Sequence, residues 1–84
     1  MVKVVFDIET NGLNPSVIWC IAAKIVGRWD EPTTFEPGNI KDFIPWLQEN
    51  QVEVLIGHNI INFDIPVIER LLNFTCGEIL KIPW

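Results

Sequence analysis

The sequence has no tyrosine, one histidine, one methionine, two cysteines and only six lysines and arginines against eleven aspartates and glutamates, a net charge of -5 over 84 residues. The shortage of basic groups argues against a generic nucleic-acid binder, because phosphate neutralisation recruits clustered Lys and Arg, and here they are scattered. Any nucleic-acid contact must be local, and a carboxylate cage filled by divalent cations would reverse the local sign. Cys20 and Cys76 lie outside any CxxC or Cys/His cluster, which fits reduced, buried thiols better than a disulfide or zinc site. No apolar run approaches the roughly 18 to 20 residues of a membrane span, and the start lacks a basic segment followed by an apolar stretch. The expectation is a soluble, cytoplasmic chain. No repeat, linker or low-complexity segment interrupts it.

Hydrophobic residues make up 49% of the chain, with four Trp and five Phe, so the chain folds rather than staying disordered. A single domain this small buries only about 60% of its unfolded surface. Its margin of stability is thin, and a partner or self-association would help it.

Val2, Val4, Phe6 and Ile8 alternate with Lys3, Val5, Asp7 and Glu9, the period of a strand. Turn formers Asn11-Gly12 and Asn14-Pro15 follow, then a second β-rich run from Val17 to Val26, expected antiparallel to the first. A third strand is expected at Thr33 to Glu36, after Asp30-Glu31-Pro32. Pro37-Gly38-Asn39 breaks the pattern, and Phe43, Ile44 and Leu47 predict a helix over 42 to 50 with Asp42 as its cap and Pro45 in its first turn. Val52 to Ile56 reads as a buried strand parallel to the first. Asp64, with Pro66 behind it, signals a second helix whose apolar stripe is Val67, Ile68, Leu71 and Leu72, running to about Asn73. Residues 78 to 84 form an edge strand or a tail. The class is therefore α/β: a three-stranded antiparallel meander, a helix, a parallel strand, a helix and a possible edge strand, the N-terminal half of a ribonuclease-H-like topology.

Asp7 and Glu9 leave the first strand on one face, roughly 6.6 Å apart along the backbone. At an effective dielectric of about 20 their repulsion costs on the order of 2.5 kcal/mol, which a divalent ion removes. Acidic residues where a strand meets a loop are usually just solvated, so this pair alone says little. Gly57-His58-Asn59 closes the parallel strand, and Asp64 opens the next helix, bringing a third carboxylate toward the carboxyl edge of the same sheet. The plain alternative for Asp64 is a helix cap. For His58 it is a backbone hydrogen bond rather than a general base. For Trp19, Trp29, Trp46, Phe43 and Phe63 it is core packing rather than base stacking. Trp84 could cover or extend an interface.

Phe6-Asp7-Ile8-Glu9-Thr10-Asn11-Gly12-Leu13, followed in order by His58-Asn59 and Phe63-Asp64, resembles the first two motifs of the DEDD (DnaQ-like) 3'-to-5' exonucleases. The resemblance is nearest to the proofreading domain of phage-type family-A DNA polymerases, which would place the chain in a host-cell cytoplasm. It implies that Asp7, Glu9 and Asp64 are catalytic residues holding two Mg²⁺ or Mn²⁺ ions for in-line phosphodiester hydrolysis. It also implies that Thr10, Leu13, Asn59, Asn62 and Phe63 contact the substrate, a single-stranded or frayed 3' end of DNA or RNA, with Leu13 wedged against the last base. Two departures stand out. Three residues, Ile60 to Asn62, separate Asn59 from the Phe63-Asp64 pair where two are common, so Asn59 and Asn62 compete for one role. The third motif, a Tyr or His with a further Asp, has no counterpart, and no His or Tyr follows Asp64. Residues 1 to 84 thus read as one truncated exonuclease-like domain. A second copy or a complementary exonuclease or polymerase chain would complete the site. The other readings are a non-catalytic module that binds single-stranded nucleic acid or a polymerase partner, and a miniature nuclease working with three carboxylates alone.

Overall fold

The computed structural model describes residues 1–29 and 31–83. Asp30, within the expected turn at 30 to 32, and Trp84, the expected interface residue, lie outside the described residues.

Strand β1 (Val2–Thr10) forms the middle of a mixed sheet because both of its edges are paired. Strand β2 (Ile18–Ile25) runs antiparallel along one edge and β4 (Val52–Gly57) parallel along the other. Strand β3 (Thr33–Phe35) is antiparallel to β2, and β5 (Leu80–Pro83) is parallel to β4, giving the order β3-β2-β1-β4-β5. Leu80–Pro83 are therefore an edge strand rather than a tail. β1 extends to Thr10, so Asp7 and Glu9 both lie within the strand. This is the element order of the N-terminal part of a ribonuclease-H-like fold.

The alternation along β1 is preserved: Val4, Phe6 and Ile8 are buried, while Lys3, Asp7 and Glu9 are exposed. Near its end Glu9 pairs with Cys20 and Thr10 with Ile18, leaving Trp19 bulged out between them. A bulge shifts the side-chain period by one residue. Ile18 and Ile21 are consequently both buried, and Trp19 is 57% exposed. Trp19 and the fully exposed Trp29 are the two aromatics that do not join the core as expected.

A 3-10 turn at Ile40–Asp42 leads into helix α1 (Phe43–Glu49). Asp42 itself has helical backbone angles and its side chain makes no capping hydrogen bond, which corrects the expected cap. The turn has taken over that role: the Asp42 amide donates to the Asn39 carbonyl and the Phe43 amide to the Ile40 carbonyl. Phe43 anchors α1, its ring centroid lying 5.8 Å from Phe6, 5.5 Å from Phe35 and 6.2 Å from Trp46.

A π-helical turn at Ile60–Asp64 runs directly into helix α2 (Ile65–Leu71). Ile65, Val67 and Ile68 of α2 share one core with Phe43 and Leu47 of α1 and with Val4, Phe6 and Ile8 of β1. Both helices thus cover the same face of the sheet. The opposite face carries Val5 and Asp7 of β1, Ala22 and Lys24 of β2 and Ile56 of β4, none of them fully buried. Both cysteines are free thiols, Cys20 half-buried and Cys76 buried. Beyond α2, the Cys76 amide donates to the Glu69 carboxylate at 2.9 Å, turning the chain toward β5.

Truncating Phe43 removes the ring on which β1, β3 and α1 converge. Phe→Ala in a core costs about 3–5 kcal/mol, a large share of the roughly 4–13 kcal/mol that a chain of this length holds in total. Urea denaturation of Phe43→Ala should show a collapse of the midpoint. Trp29→Ala, at a fully exposed site, should stay within about 0.5 kcal/mol of the parent.

Candidate active site

The site begins with a close approach of two strands. Ile56 of β4 lies opposite Val5 of β1, so the next residues, Gly57 and Phe6, run side by side. A Cβ at position 57 would stand 3.2 Å from the Phe6 carbonyl oxygen and 3.5 Å from the Ile60 Cβ, which explains the glycine. The chain then turns through Asn59, held at φ 53°, a left-handed conformation that Asn tolerates better than most residues.

Ile60 is completely buried and anchors the π-helical turn that follows. A π turn closes i to i+5 and so holds one residue more than an α turn. It thereby absorbs the additional residue between Asn59 and Phe63, while Phe63 remains half-buried against the core. Since the helical backbone already starts at Ile60, the Ile65 amide is bonded to the Ile60 carbonyl. Asp64 has ordinary helical angles and makes no side-chain capping bond, so it is not the cap that the sequence suggests. Its carboxylate turns inward: the residue is 4% exposed, and Oδ2 is buried without a hydrogen-bond partner.

Burial disfavours the charged form of Asp64 and pushes its pKa up from 3.8 to about 6. The Asp7 charge raises it further, while His58 and the residue's own backbone hydrogen bond pull the other way. Asp7 and Asp64 are therefore within electrostatic reach of one another. Glu9 is exposed two residues further along β1 and is not among the charges that shift Asp64. Among the described residues no group of three or more His, Cys, Asp and Glu side chains is gathered to hold an ion. The structure brings together a pair of carboxylates, with Glu9 farther out.

The other expected residues surround this pair unevenly. The Thr10 hydroxyl donates to the Gly12 carbonyl at 2.8 Å, so it shapes its own loop. Leu13 is 95% exposed on that loop. Asn59 and Asn62 are both exposed. The sequence reading missed Lys24. It lines a groove of about 570 Å³ together with Val5, Asp7, Ala22, Pro32 and His58. The signal was present in β2, since Lys24 and Ala22 pair with Val5 and Asp7 and so share their face.

The raised pKa of Asp64 carries a definite sign. The native state holds the Asp64 proton more tightly than the unfolded chain does, so this contribution is complete below about pH 4 and is lost as pH rises through about 6. Two pKa units correspond to on the order of 3 kcal/mol. Asp64→Asn should match the parent in stability near pH 4 and exceed it by up to about that amount at pH 7. Urea denaturation across this range would measure the widening gap.

No protein-family profile matches the sequence, and no curated protein does. In three dimensions the chain is similar to the solved structure of the family B DNA polymerase from the hyperthermophilic archaeon Pyrobaculum calidifontis, with a TM-score of 0.71 and 20% sequence identity. The match covers 86% of this chain and 11% of that one, so this chain spans about a tenth of the polymerase's length. At this identity the likeness shows the fold alone, one that occurs within a DNA polymerase. The neighbour belongs to family B, whereas the motifs around Asp7 and Asp64 resemble family A.

Proposed function

We propose that this domain is a DEDD-type 3'-to-5' exonuclease module that hydrolyses the terminal phosphodiester bond of a single-stranded or frayed 3' end. The observation that carries the reading is the buried Asp64 Oδ2, left without a partner near Asp7 where β4 ends beside β1. The two motifs and a fold shared with part of a DNA polymerase support it.

The donor set suits Mg²⁺ or Mn²⁺. Such ions take oxygen ligands, commonly one or two carboxylates with water and substrate phosphates filling the remaining positions. Asp7 and Asp64 would hold the first ion and Glu9 would reach the second or its water. When bound, the ions supply positive charge for the attacking water and the leaving oxygen of an in-line displacement. The protein's own part is to bind and orient. Leu13 offers an apolar edge to the last base, Asn59 and Asn62 offer amides to the backbone, and Phe63 offers its ring edge. A further carboxylate and a proton acceptor would come from a second copy or from a complementary exonuclease or polymerase chain.

A second reading has its own support. The absence of a three-group cluster among the described residues favours a non-catalytic module that grips a single-stranded end or a polymerase partner without cutting.

Manganese calorimetry combined with nucleotide release from a 3'-labelled single strand separates the two. On the first reading the chain, alone or with its completing partner, takes up Mn²⁺ and releases nucleotides, and Asp7→Ala or Asp64→Ala lowers the rate by a hundredfold or more, about 2.7 kcal/mol of barrier. Oligonucleotide binding with no release under any of these conditions would establish the second.

A further inference from the structure

Residues 11–17, joining β1 to β2, have no regular secondary structure but a dense set of internal bonds. The Asn11 Oδ1 accepts from the Ser16 amide at 3.1 Å and from the Val17 amide at 3.2 Å, and its Nδ2 donates to the Ser16 hydroxyl at 3.0 Å. The Asn11 amide also donates to the Val17 carbonyl at 3.3 Å. Gly12 sits at φ +142°, a conformation open to glycine, and permits the tight turn behind Leu13. Pro15 is the one buried residue of the loop. Its carbonyl accepts from Arg70 Nη2 at 2.5 Å, a bond spanning 55 residues of sequence.

Arg70 lies in the last turn of α2, where a cation is favoured by the helix dipole alone. That role requires no acceptor on another element, yet the guanidinium reaches one. α2 continues from the turn that carries Asp64, six residues earlier and roughly 9 Å along the axis at 1.5 Å per residue. The loop follows directly on β1, which carries Asp7 and Glu9. Arg70 therefore closes a ring: acidic strand, loop, guanidinium, helix, buried carboxylate.

We propose that Arg70 is a positioning residue, fixing the loop that presents Leu13 relative to the Asp7 and Asp64 pair so that the exposed leucine meets the terminal base of a single-stranded 3' end at a set distance from the carboxylates. The inference rests on the exonuclease-module reading and adds to it a residue outside both motifs. Leu13 is the contacting group, and Arg70 acts through it.

The test is a double-mutant cycle on the full chain. Binding of a single-stranded oligodeoxynucleotide with 2-aminopurine at its 3' end is followed with Ca²⁺ as the divalent ion. Amide hydrogen exchange is followed in parallel without nucleic acid. Arg70→Met and Leu13→Ala should each weaken binding about fivefold or more, and the double variant should be no weaker than the weaker single one, because both changes remove the same contact. In Arg70→Met the Ser16 and Val17 amides should exchange at least tenfold faster while those of Val4 and Phe6 hold. Arg70→Lys, which keeps a donor and the charge, should fall between and shows that the helix still folds. Effects that multiply in the double variant, or an Arg70→Met chain with unaltered binding and exchange, overturn the proposal while leaving the exonuclease-module reading intact. A parent chain that binds no oligonucleotide, alone or with its completing partner, overturns both.

Discussion

The parallel pairing of β4 with β1 is the constraint from which the site follows. It sets Gly57 against the Phe6 backbone, and the chain leaving β4 turns at once through Asn59. Ile60 then fills the core and forces the wide turn that carries Asp64 inward. An unpaired carboxylate in such a place is expensive, since burial penalises its charged form and Asp7 repels it. A proton relieves the strain in acid, and on the proposed reading a divalent cation would relieve it at neutral pH. On the proposed reading stability and chemistry meet in one side chain: the arrangement that makes Asp64 costly to fold would also make it receptive to a cation.

The sheet is loaded asymmetrically. Aromatic packing of Phe6, Phe35, Phe43 and Trp46 and the aliphatic stripe of α2 lie on one face, and the groove containing Asp7 and Lys24 opens on the other. A small domain gains more per residue from one well-filled core than from two thin ones. The other face is left mainly to polar groups and half-buried aliphatics, with Val54 of β4 its buried exception. Asp7 can therefore differ in exposure from its neighbours Phe6 and Ile8 without disturbing them, because alternation along β1 sends it to the other side.

Much of this architecture was legible in the residues. The alternation of Val4, Phe6 and Ile8 fixed β1 and its core face, and the run 52 to 56 fixed β4, since both signals are local. The start of α2 misled because Asp64 followed by Pro66 has the chemistry of a cap. What overrides it is the burial of Ile60, a tertiary contact that begins the helix a turn earlier. Asp42 misled in the same way, its amide and that of Phe43 being served by backbone carbonyls in the preceding turn. The bulge at Trp19 was invisible because it depends on how β2 must shift to bury both Ile18 and Ile21. Strand β5 depends on its edge position beside β4 more than on its own four residues. At the site, Asp7 and Asp64 could be brought to one rim by counting elements. The separation of Glu9 from Asp64 could not, because it depends on the depth at which Asp64 is held.

The charge of the chain bears on how such a site could attract a polyanion. With a net charge of -5, the surface as a whole repels phosphate, though salt at physiological strength screens that field beyond about 8 Å. What acts is local. His58 lies close enough to Asp64 to lower its pKa. Arg70 is engaged with the Pro15 carbonyl. On the proposed reading, Lys24 in the groove beside Asp7 adds one local positive charge, the rest of the attraction comes from cations held by Asp7 and Asp64, and the substrate phosphate in turn completes their coordination. Two ligands that each supply what the other lacks bind with positive coupling, equal in both directions. On that reading the site would discriminate by occupancy: without nucleic acid the carboxylate pair would hold its ion weakly, and without the ion it would turn phosphate away.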